Sequence, residues 1–426
     1  MKEAKLHLLL PPLGILLLGT GVLLLAHRLT ADLLLLPWLA AVIVGAFFTQ
    51  FILGRRDGTD LTLFPAAMLL ASLGLIMIGR LKPALFLTQM RWLLLGLIVY
   101  LFLVFLGERF LRLLSYPYLL GVFCLLLLCS ALFFGTEIGG SRNWIVFGPF
   151  AVQPSEFGKI VIIMFLAAYL TEHREVLTLP RHRLLWLKLP VLRFIAPLLL
   201  IWGIAILMFV VQRDLGSALL FFGIAVSMTY MATGRKSYVA LAFAFFLGAA
   251  ALSYSFFSHV RVRFNIWLDP WSDPSGSAYQ VVQSLFALGS GGVWGAGFAH
   301  GHPNLIPEVH TDFIFAVIGE EFGFVGMLVL VFCYGWLVWR AFSIGKQARD
   351  SGLMFSAYIA NGIGIWIGIQ SFFNIGVNIG ILPTKGLTLP FMSYGGSAVF
   401  IMLVCVTLLL RIDYENRQKM RGYSVE

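Results

Sequence analysis

The chain has few charged residues for its length. Asp, Glu, Lys and Arg make up 12% of its 426 residues, while hydrophobic residues make up 60%. A soluble domain is roughly half apolar and about a quarter charged, so this composition could not cover a water-facing surface. The sequence shows no soluble domain, no low-complexity segment and no clear repeat, which leaves an integral membrane protein.

Cysteine is also scarce. The four cysteines all lie in apolar runs and show no metal-ligand spacing: Cys124, Cys129, Cys333 and Cys405. The sequence therefore predicts neither a metal site at these residues nor a disulfide framework. We interpret them as small core residues.

Apolar runs of about 20 residues recur from end to end, and each can cross a bilayer core of ~30 Å. The predicted fold class is therefore all-α, a polytopic transmembrane helical bundle of about twelve spans, with ten or eleven as alternatives. The spans are predicted near 8–26, 33–53, 61–79, 90–106, 116–135, 157–171, 193–211, 215–233, 237–257, 312–339, 353–376 and 388–410. The first span lacks a small-residue cleavage site and is closely followed by a second, which predicts an anchor and not a cleaved signal peptide.

The net charge of +10 could indicate a nucleic-acid partner. With twelve spans both termini share one side, and most of the Lys and Arg residues fall on that side. Because positive residues favour the cytoplasm, both termini are predicted to be cytoplasmic. Most of the basicity is then a feature of membrane topology, and we predict no nucleic-acid binding.

Three segments on the predicted outer side, 136–156, 258–311 and 374–390, are rich in Gly, Pro and aromatic residues. Such residues are typical of irregular but ordered loops. The segment 258–311 is long, and loops of that size are usually functional or disordered; its Trp residues make disorder a poor interpretation. Apolar residues at helical spacing predict a short amphipathic or re-entrant helix over 278–289.

Charged side chains at membrane depth are costly and usually face the bundle interior or a cavity. Glu156 and Lys159 are three residues apart, which allows a pair on one helix face. That pair is expected either to orient the helix or to contact substrate. Asp214 precedes another span, where a carboxylate suits a helix N-terminus, so capping and a functional role both stay open.

Asp312 is the most informative residue. It lies in HTDFIFAVIGEEFG, where the longest outer segment meets a span, and Glu320 and Glu321 follow one to two turns later. Three carboxylates on one apolar helix are hard to explain by stability alone, although an N-cap role would explain Asp312. We predict a functional role for Asp312 and internal pairing for the two glutamates, with Lys159 or Arg213 as partners.

Several basic residues lie on the outer side against the general bias, beside the three unusual segments: Arg142, Arg213, Arg261, Arg263 and Lys385. Clustered, they would suit an anionic ligand such as a pyrophosphate, through charge-assisted hydrogen bonds. Scattered, they would be ordinary surface charges, and the residues alone leave both possibilities open.

Six motifs in order then resemble one family. They are SRNWIVFGPFAVQPSEFGKI, QRDLGSAL, LDPWSDPSGSAYQVVQSL, GVWGAGF, PEVHTDFIFAVIGEEFGFVG and NIGVNIGILPTKGLTLPFMSYGGS. Together they are similar to the SEDS family (shape, elongation, division and sporulation), over roughly residues 90–412. The resemblance implies a peptidoglycan glycosyltransferase of the bacterial cytoplasmic membrane. Its substrates would be lipid II and the nascent glycan strand, and its partner a class B penicillin-binding protein.

The resemblance also implies roles for single residues. Asp312 matches the family's essential outer aspartate and is the predicted catalytic residue. The predicted substrate-binding residues are Trp144, Arg142, Glu156, Lys159, Arg213, Asp214, Arg261, Arg263, Lys385 and Ser393. A stacking role on a sugar and an interfacial anchor both stay open for Trp144. A divalent cation, Mg²⁺ or Mn²⁺, is a candidate cofactor, although no metal ligands are evident.

The chain departs from the family pattern at several places. Arg213 replaces the usual proline before DLG, Ala278 replaces a common glycine, and a lysine often found before LPE is absent, with His302 near its place. Two spans beyond the usual ten are expected at the N-terminus. We therefore expect an N-terminal extension over 1–84, a SEDS membrane domain over 85–412 and a cytoplasmic tail over 413–426.

Two other classes of function stay open. A lipid II flippase would also need many spans and buried charges. A non-catalytic scaffold could recruit the penicillin-binding protein without chemistry of its own. The choice between elongation, division and sporulation also stays open, because the motifs and the N-terminal extension favour different branches of the family.

Overall fold

The structure is a computed structural model. It describes residues 5–26, 29, 35–55, 59–105, 116–138, 141–148, 150–178, 182–184, 187–189, 192–212, 214–384 and 386–421. The chain forms two compact units. Unit 1 is formed by Met1–Leu106, Val262–Arg340 and Gln370–Val425, and unit 2 by Gly107–Arg261 and Ala341–Ile369.

Fourteen α-helices are present in the described part of the chain. They are α1 Leu10–Leu25, α2 Leu35–Arg55, α3 Leu63–Leu81, α4 Pro83–Phe105, α5 Pro117–Phe134, α6 Pro154–Thr178, α7 Leu192–Val211, α8 Leu215–Thr233, α9 Lys236–Phe256, α10 Ser258–Leu268, α11 Tyr279–Gly291, α12 Ile314–Asp350, α13 Met354–Asn378 and α14 Gly396–Met420. Short 3₁₀ helices cover Leu6–Leu9, Pro270–Ser272 and Pro303–Leu305. The all-α class is confirmed.

Each of the twelve predicted spans coincides with one long helix. Ten of the helices are long and apolar enough to cross a membrane by length and composition. The other two are α6, which carries charged residues, and α13, which carries several amide and small residues. The span predicted at 157–171 is longer than expected, Pro154–Thr178. The number of membrane crossings stays a prediction.

Unit 1 is built on α3 and α14, whose side chains are mostly buried. Helix α1 packs on α3, α2 packs on α4, and α4 packs on α14. At Gly74 in α3 the backbone of Met392 approaches so closely that a Cβ would lie 2.4 Å from the Met392 carbonyl oxygen. A glycine is therefore required there, and it seats the 390–394 turn against α3.

A buried network of charges ties three elements of unit 1 together. Asp60, in the connection before α3, pairs with Arg340 of α12, and its backbone N–H donates to Asp413 Oδ2 at 3.0 Å. Asp413 of α14 also pairs with Arg417, with 3.0 Å between Nε and Oδ2. Burial raises the pKa of Asp60, but hydrogen bonds from Thr62 and the Arg340 guanidinium outweigh it, so that pKa lies below its ordinary value.

Unit 2 is built on α6, which is buried along most of its length and packs against α5 and α8. The predicted irregular segment at 136–156 contains a three-stranded antiparallel sheet of β1 Thr136–Ile138, β2 Ser141–Phe147 and β3 Phe150–Val152. Trp144 lies opposite Thr136 in this sheet, and Ile145 lies opposite Val152. A second hairpin pairs β4 His182–Leu184 with β5 Leu187–Leu189.

The long segment 258–311 contains more regular structure than its sequence indicates. Helix α11, Tyr279–Gly291, confirms the helix predicted over 278–289. Helix α10, Ser258–Leu268, was not predicted, because its apolar residues alternate with polar and basic ones and form no helical stripe. The Trp267 indole N–H donates to the carbonyl oxygen of Ile381 at 2.9 Å, which ties the end of α10 to the residues after α13.

Candidate functional site

Asp312 lies two residues before α12 and is half-buried. Its backbone carbonyl oxygen accepts two hydrogen bonds from side-chain amides of α13. The Nδ2 atoms of Asn374 and Asn378 lie 3.0 and 2.8 Å from that oxygen. Both asparagines are essentially inaccessible to solvent, with 1% and 0% exposed. Asp312 is therefore positioned through its peptide group by two buried neutral donors.

The two asparagines belong to a longer row of amides on α13. Gln370, Asn374 and Asn378, spaced four residues apart, lie on one helix face, and we call them the amide ladder. Gln370 donates to the Thr388 carbonyl oxygen at 2.8 Å, and Asn374 donates to the Leu387 carbonyl oxygen at 2.7 Å. The ladder thus binds the backbone of the 387–388 segment as well as that of Asp312.

The 387–388 segment continues from residues that pass directly beside the Asp312 carboxylate. A Cβ built on Gly386 would lie 3.6 Å from Asp312 Oδ2, and Gly386 has a φ of +65°, which favours glycine. Lys385, the preceding residue, is outside the described residues. Its predicted contact with a phosphate stays a prediction.

The beginning of α12 is capped in part by a side chain of α13. The Ala316 N–H donates to Asn378 Oδ1 at 3.0 Å, which satisfies one of the backbone donors that a helix N-terminus leaves unpaired. The Thr311 hydroxyl donates instead to the Glu308 carbonyl oxygen at 2.8 Å. Asn378 thus supports the beginning of α12 as well as the Asp312 peptide.

Ser393, a predicted substrate-binding residue, supports the Asp312 segment from the protein interior. Its hydroxyl donates to the Thr311 carbonyl oxygen and accepts a hydrogen bond from the Leu389 N–H at 2.8 Å. The N–H of the next residue, Tyr394, donates to the His310 carbonyl oxygen at 2.8 Å. Ser393 is 1% exposed, and a substrate contact at this residue stays a prediction.

His310, two residues before Asp312, is buried, and its ring lies 5.6 Å from the Tyr394 ring, centroid to centroid. Burial lowers its pKa, and the nearby Lys82 ammonium lowers it further, while Glu308 raises it. The net pKa of His310 lies below the ordinary value of histidine. The imidazole is therefore neutral at pH 7, so the residue two positions before Asp312 adds no positive charge to the site.

Glu320 and Glu321 have internal partners, as predicted. Those described are not the ones named from the sequence, of which Arg213 lies outside the described residues. Arg80 of α3 lies 3.4 Å from Glu321 Oε1, measured from Nε, and the His302 N–H donates to Glu320 Oε1 at 2.7 Å. Arg80 also donates through Nη2 to the carbonyl oxygens of Ala299 and Gly301. These side chains thus anchor the residues that lead toward Asp312.

Helix α12 is interrupted immediately after these glutamates. Gly323 has non-helical dihedral angles, φ 67° and ψ −167°, and its backbone lies against Gly295. The N–H groups of Ala296 and Gly297 donate to the carbonyl oxygens of Glu320 and Glu321. Irregular backbone at membrane depth is tolerated where protein satisfies its polar groups, and here segment 292–297 does so.

In unit 2, Glu156 and Lys159 form the predicted ion pair. Lys159 Nζ lies 2.6 Å from Glu156 Oε1, and Lys159 is 1% exposed. The ammonium also lies 5.2 Å from the centroid of the Trp366 ring, a cation–π distance. The pair is buried within the described part of unit 2. Whether it also contacts substrate stays a prediction.

Asp214 caps α8, as predicted, and also binds the β-sheet. Its Oδ1 accepts a hydrogen bond from the Ser217 N–H at 3.0 Å, and its Oδ2 accepts one from Asn143 Nδ2 at 2.9 Å. Asn143 is buried between Arg142 and Trp144 on β2. The Asp214 carboxylate therefore fixes the strand that carries two predicted substrate-binding residues.

The contacts described for the remaining predicted basic residues include hydrogen bonds to backbone carbonyl oxygens. Arg142 is exposed and donates to the Gly135 carbonyl oxygen at 3.0 Å. Arg261 is exposed and donates to the carbonyl oxygens of Tyr254 and Ser255, and Arg263 is exposed. Arg213 lies outside the described residues. A shared pyrophosphate site for these residues stays a prediction.

Sequence reasoning did not single out Arg80, Asn374 or Asn378. For Asn374 and Asn378 the available signal was their four-residue spacing in an otherwise apolar helix. Polar side chains placed in this way need buried partners. For the predicted divalent cation, the described residues contain no group of three or more His, Cys, Asp and Glu side chains that could hold a metal ion. A cation shared with substrate phosphates needs only one or two protein carboxylates, and the divalent cation stays a prediction.

Known proteins resemble this chain over most of its length. A relative from Neisseria gonorrhoeae (strain NCCP11945), named probable peptidoglycan glycosyltransferase FtsW, is 49% identical over 71% of this chain and 71% of its own. The peptidoglycan glycosyltransferase RodA of Mycobacterium bovis is 36% identical over 85% of this chain and 80% of its own.

Solved structures give the same result. A chain from a peptidoglycan synthase complex that coordinates polymerization and crosslinking has a TM-score of 0.70 and 29% identity, covering 85% of this chain and 99% of that one. Thermus thermophilus RodA has a TM-score of 0.60 and 28% identity, covering 85% and 98%. Residues 60–418 match the cell cycle protein family named for FtsW, RodA and SpoVE. The chain is thus a multi-pass membrane protein that belongs to this family, the SEDS family.

Proposed function

We propose that this chain is a peptidoglycan glycosyltransferase that polymerises lipid II into glycan strands at the outer face of the bacterial cytoplasmic membrane. The names of its relatives support the reaction. The observation that carries the assignment to a site is Asp312, a half-exposed carboxylate whose peptide group is fixed by two buried amides. A carboxylate held in this way is suited to act as a base at a defined position.

The stereochemistry of the reaction needs one base and no enzyme nucleophile. The anomeric carbon of the donor MurNAc carries an α-linked pyrophosphate, and the polymer bond is β-1,4, so a single inversion suffices. Asp312 takes the proton of the acceptor GlcNAc 4-hydroxyl as that oxygen forms its bond to the anomeric carbon. The bond to the pyrophosphate breaks, and undecaprenyl pyrophosphate leaves with the electron pair.

The negative charge on the leaving group would be stabilised by basic residues. Arg213, Lys385, Arg261 and Arg263 are the proposed candidates, because cations aimed at developing charge lower the barrier. Trp144 is proposed to stack on a sugar of the donor or acceptor.

The test is polymerisation of labelled lipid II by the purified protein. We expect wild type to form glycan strands, and Asp312→Ala and Asp312→Asn to form none while they unfold at the wild-type temperature. Asp273→Asn is the matched control, because Asp273 is an exposed aspartate of the 258–311 segment whose carboxylate accepts hydrogen bonds from Ser277. Full-length polymer from either Asp312 variant would disprove the assignment.

The partner is proposed to be a class B penicillin-binding protein, with both termini of the chain in the cytoplasm. A related chain was solved in a peptidoglycan synthase complex, which supports a partner that cross-links the product. We expect the purified chain to bind such a transpeptidase and to polymerise faster in its presence. A rate unchanged by a saturating partner would contradict this proposal.

The same assay separates the two alternative functions. A flippase would move intact lipid II across a vesicle membrane and release no polymer. A scaffold would support growth of cells that lack the protein even when it carries Asp312→Ala. Polymer formed by the purified wild type and lost in that variant is expected only of the glycosyltransferase.

A further inference from the structure

We propose that Asn374 and Asn378 are positioning residues for Asp312. Asn374 sets the distance between the Asp312 carboxylate and the backbone of residues 386–387, which passes beside it. This inference rests on the proposed function of Asp312 as the base. It assigns a role in the reaction to two buried side chains that do not touch the reacting groups.

Both side-chain amides donate their N–H groups to backbone oxygens at this site. Asn378 Nδ2 donates to the carbonyl oxygens of Asp312 and Asn374, both at 2.8 Å. Asn374 Nδ2 donates to Asp312 at 3.0 Å and to Leu387 at 2.7 Å. Burying a primary amide is costly unless such bonds form. Here these bonds satisfy the Nδ2 donors of both asparagines.

Two donors on one carbonyl oxygen hold a peptide group more firmly than one donor does. An oxygen has two lone pairs, and one hydrogen bond leaves the peptide group free to rotate about it. Two donors that approach from successive turns of α13 remove that rotation. The peptide group that follows Asp312 is then fixed, which limits the directions open to the Asp312 side chain.

Asn374 binds the two backbone segments of the site, that of Asp312 and that of Leu387. Its amide joins the Asp312 peptide to the Leu387 peptide. Between them, a Cβ built on Gly386 would lie 3.6 Å from Asp312 Oδ2. Because one amide donates to both peptides, it fixes the distance between the Asp312 and Leu387 backbones. Displacement of a reacting group by about 1 Å, even by a distant change, can reduce a rate on the order of 10²-fold.

A purely structural role would give a different pattern for the two residues. Asn378 also accepts from the Ala316 N–H, so it supports the beginning of α12 whatever Asp312 does. Asn374 donates to Asp312 and Leu387 and has no such capping bond among the described contacts. Asn374 is therefore the residue whose substitution should affect the reaction more than the fold.

The experiment measures kcat and KM for lipid II polymerisation together with the thermal midpoint of the full chain in detergent. Asn374→Leu keeps the side-chain size and removes both donors. We expect kcat to fall on the order of 10²-fold while KM stays at the wild-type value, because the substrate still binds but meets a misplaced base. The matched control is Asn416→Leu, which replaces another fully buried asparagine of unit 1 and should leave kcat unchanged.

The outcomes are separable from those of the proposed function. If Asp312→Asn abolishes polymerisation and Asn374→Leu retains wild-type kcat, the positioning role is overturned and the base assignment stands. An equal loss of kcat in Asn416→Leu also overturns it, because the loss would follow from general destabilisation. If Asp312→Asn polymerises normally, the proposed base itself fails. Should Asn374→Leu not fold, Asn374→Ala removes the same donors without adding a new contact.

Discussion

The two ends of α12 within unit 1 are held by different chemistry. At the Asp312 end, neutral amides and a hydroxyl donate to backbone carbonyl oxygens. At the Arg340 end, ionised side chains pair with one another in a buried network. A cation paired with a carboxylate lowers its proton affinity, which would weaken a base. Neutral donors on the carbonyl oxygen fix Asp312 in place and leave the charge of its carboxylate alone.

The largest effect is expected at the Arg340 end. Arg340→Leu leaves the buried carboxylates of Asp60 and Asp413 without this partner, and breaking a buried pair costs about 3–5 kcal/mol. We expect a large fall in the thermal midpoint and unchanged polymerisation by the protein that remains folded. In the exposed pair Arg349–Asp350, Arg349→Ala should cost less than about 1 kcal/mol. Similar midpoints for the two variants would contradict the buried network.

A smaller effect on stability is expected at the Asp312 end. Asn378→Leu leaves the Ala316 N–H with the Phe313 carbonyl oxygen as its described acceptor. It also removes two hydrogen bonds to carbonyl oxygens, and the total cost is about 1–3 kcal/mol. Thr20→Val is the control, because that hydroxyl donates only within its own helix, to Leu16. Thermal unfolding should rank the variants Arg340→Leu, Asn378→Leu and Thr20→Val, from most to least destabilised.

Acid should affect the two ends in different pH ranges. The pKa of His310 is lower in the folded chain than in the unfolded one, chiefly because the ring is buried. Above about pH 6.5 the ring is neutral in both states; below it, the unfolded chain binds the proton first and stability falls. We expect His310→Gln to flatten the decline of the thermal midpoint just below that pH.

The carboxylate at the Arg340 end has linkage of the same sign, but in a lower pH range. The pKa of Asp60 is lowered on folding, so its contribution is present above the unfolded value of about 3.9 and is lost as pH falls through the folded value. Asp60→Asn should therefore change the pH dependence of stability only below about pH 4. A change near pH 6 in this variant would show that His310 and Asp60 are not separate.

The smallest effect is expected from Lys82, which is exposed and lies 3.8 Å from Glu308. Lys82→Ala should cost less than about 1 kcal/mol, because an exposed ion pair contributes little. It removes a charge that lowers the pKa of His310, so the ring should titrate at a higher pH. NMR titration of the His310 ring would detect the change, and an unchanged or lower pKa would contradict it.

Much of the fold could be predicted because it depends on local signals. Twelve apolar runs became twelve helices, and Asp214 could be assigned as a cap from its position before a span. The three-stranded sheet at 136–152 and helix α10 could not be predicted, since neither has the apolar pattern of its class. Their form depends on partners far away in sequence, such as Asp214 for the strand of Asn143.

The candidate site was predictable in part for a similar reason. Asp312 and the Glu156–Lys159 pair stand out because charges in apolar runs are rare. The partner of Glu321 was not predictable, because Arg80 is distant in sequence and pairing geometry arises only on folding. Asn374 and Asn378 carry no charge, and only their spacing indicated a shared face.

The contact between Gly295 and Gly323 has a consequence for how such sequences can change over time. A Cβ on either residue would lie 2.3 Å from backbone atoms of the other segment, and both residues have positive φ. A smaller neighbouring side chain cannot compensate for either change, because the atoms in the way are backbone atoms. A descendant that lost its carboxylate at position 312, and with it any selection for polymer synthesis, would still be expected to keep both glycines. Their persistence among relatives would record the architecture of the helix break, while persistence of Asp312 is expected from its proposed role as the base.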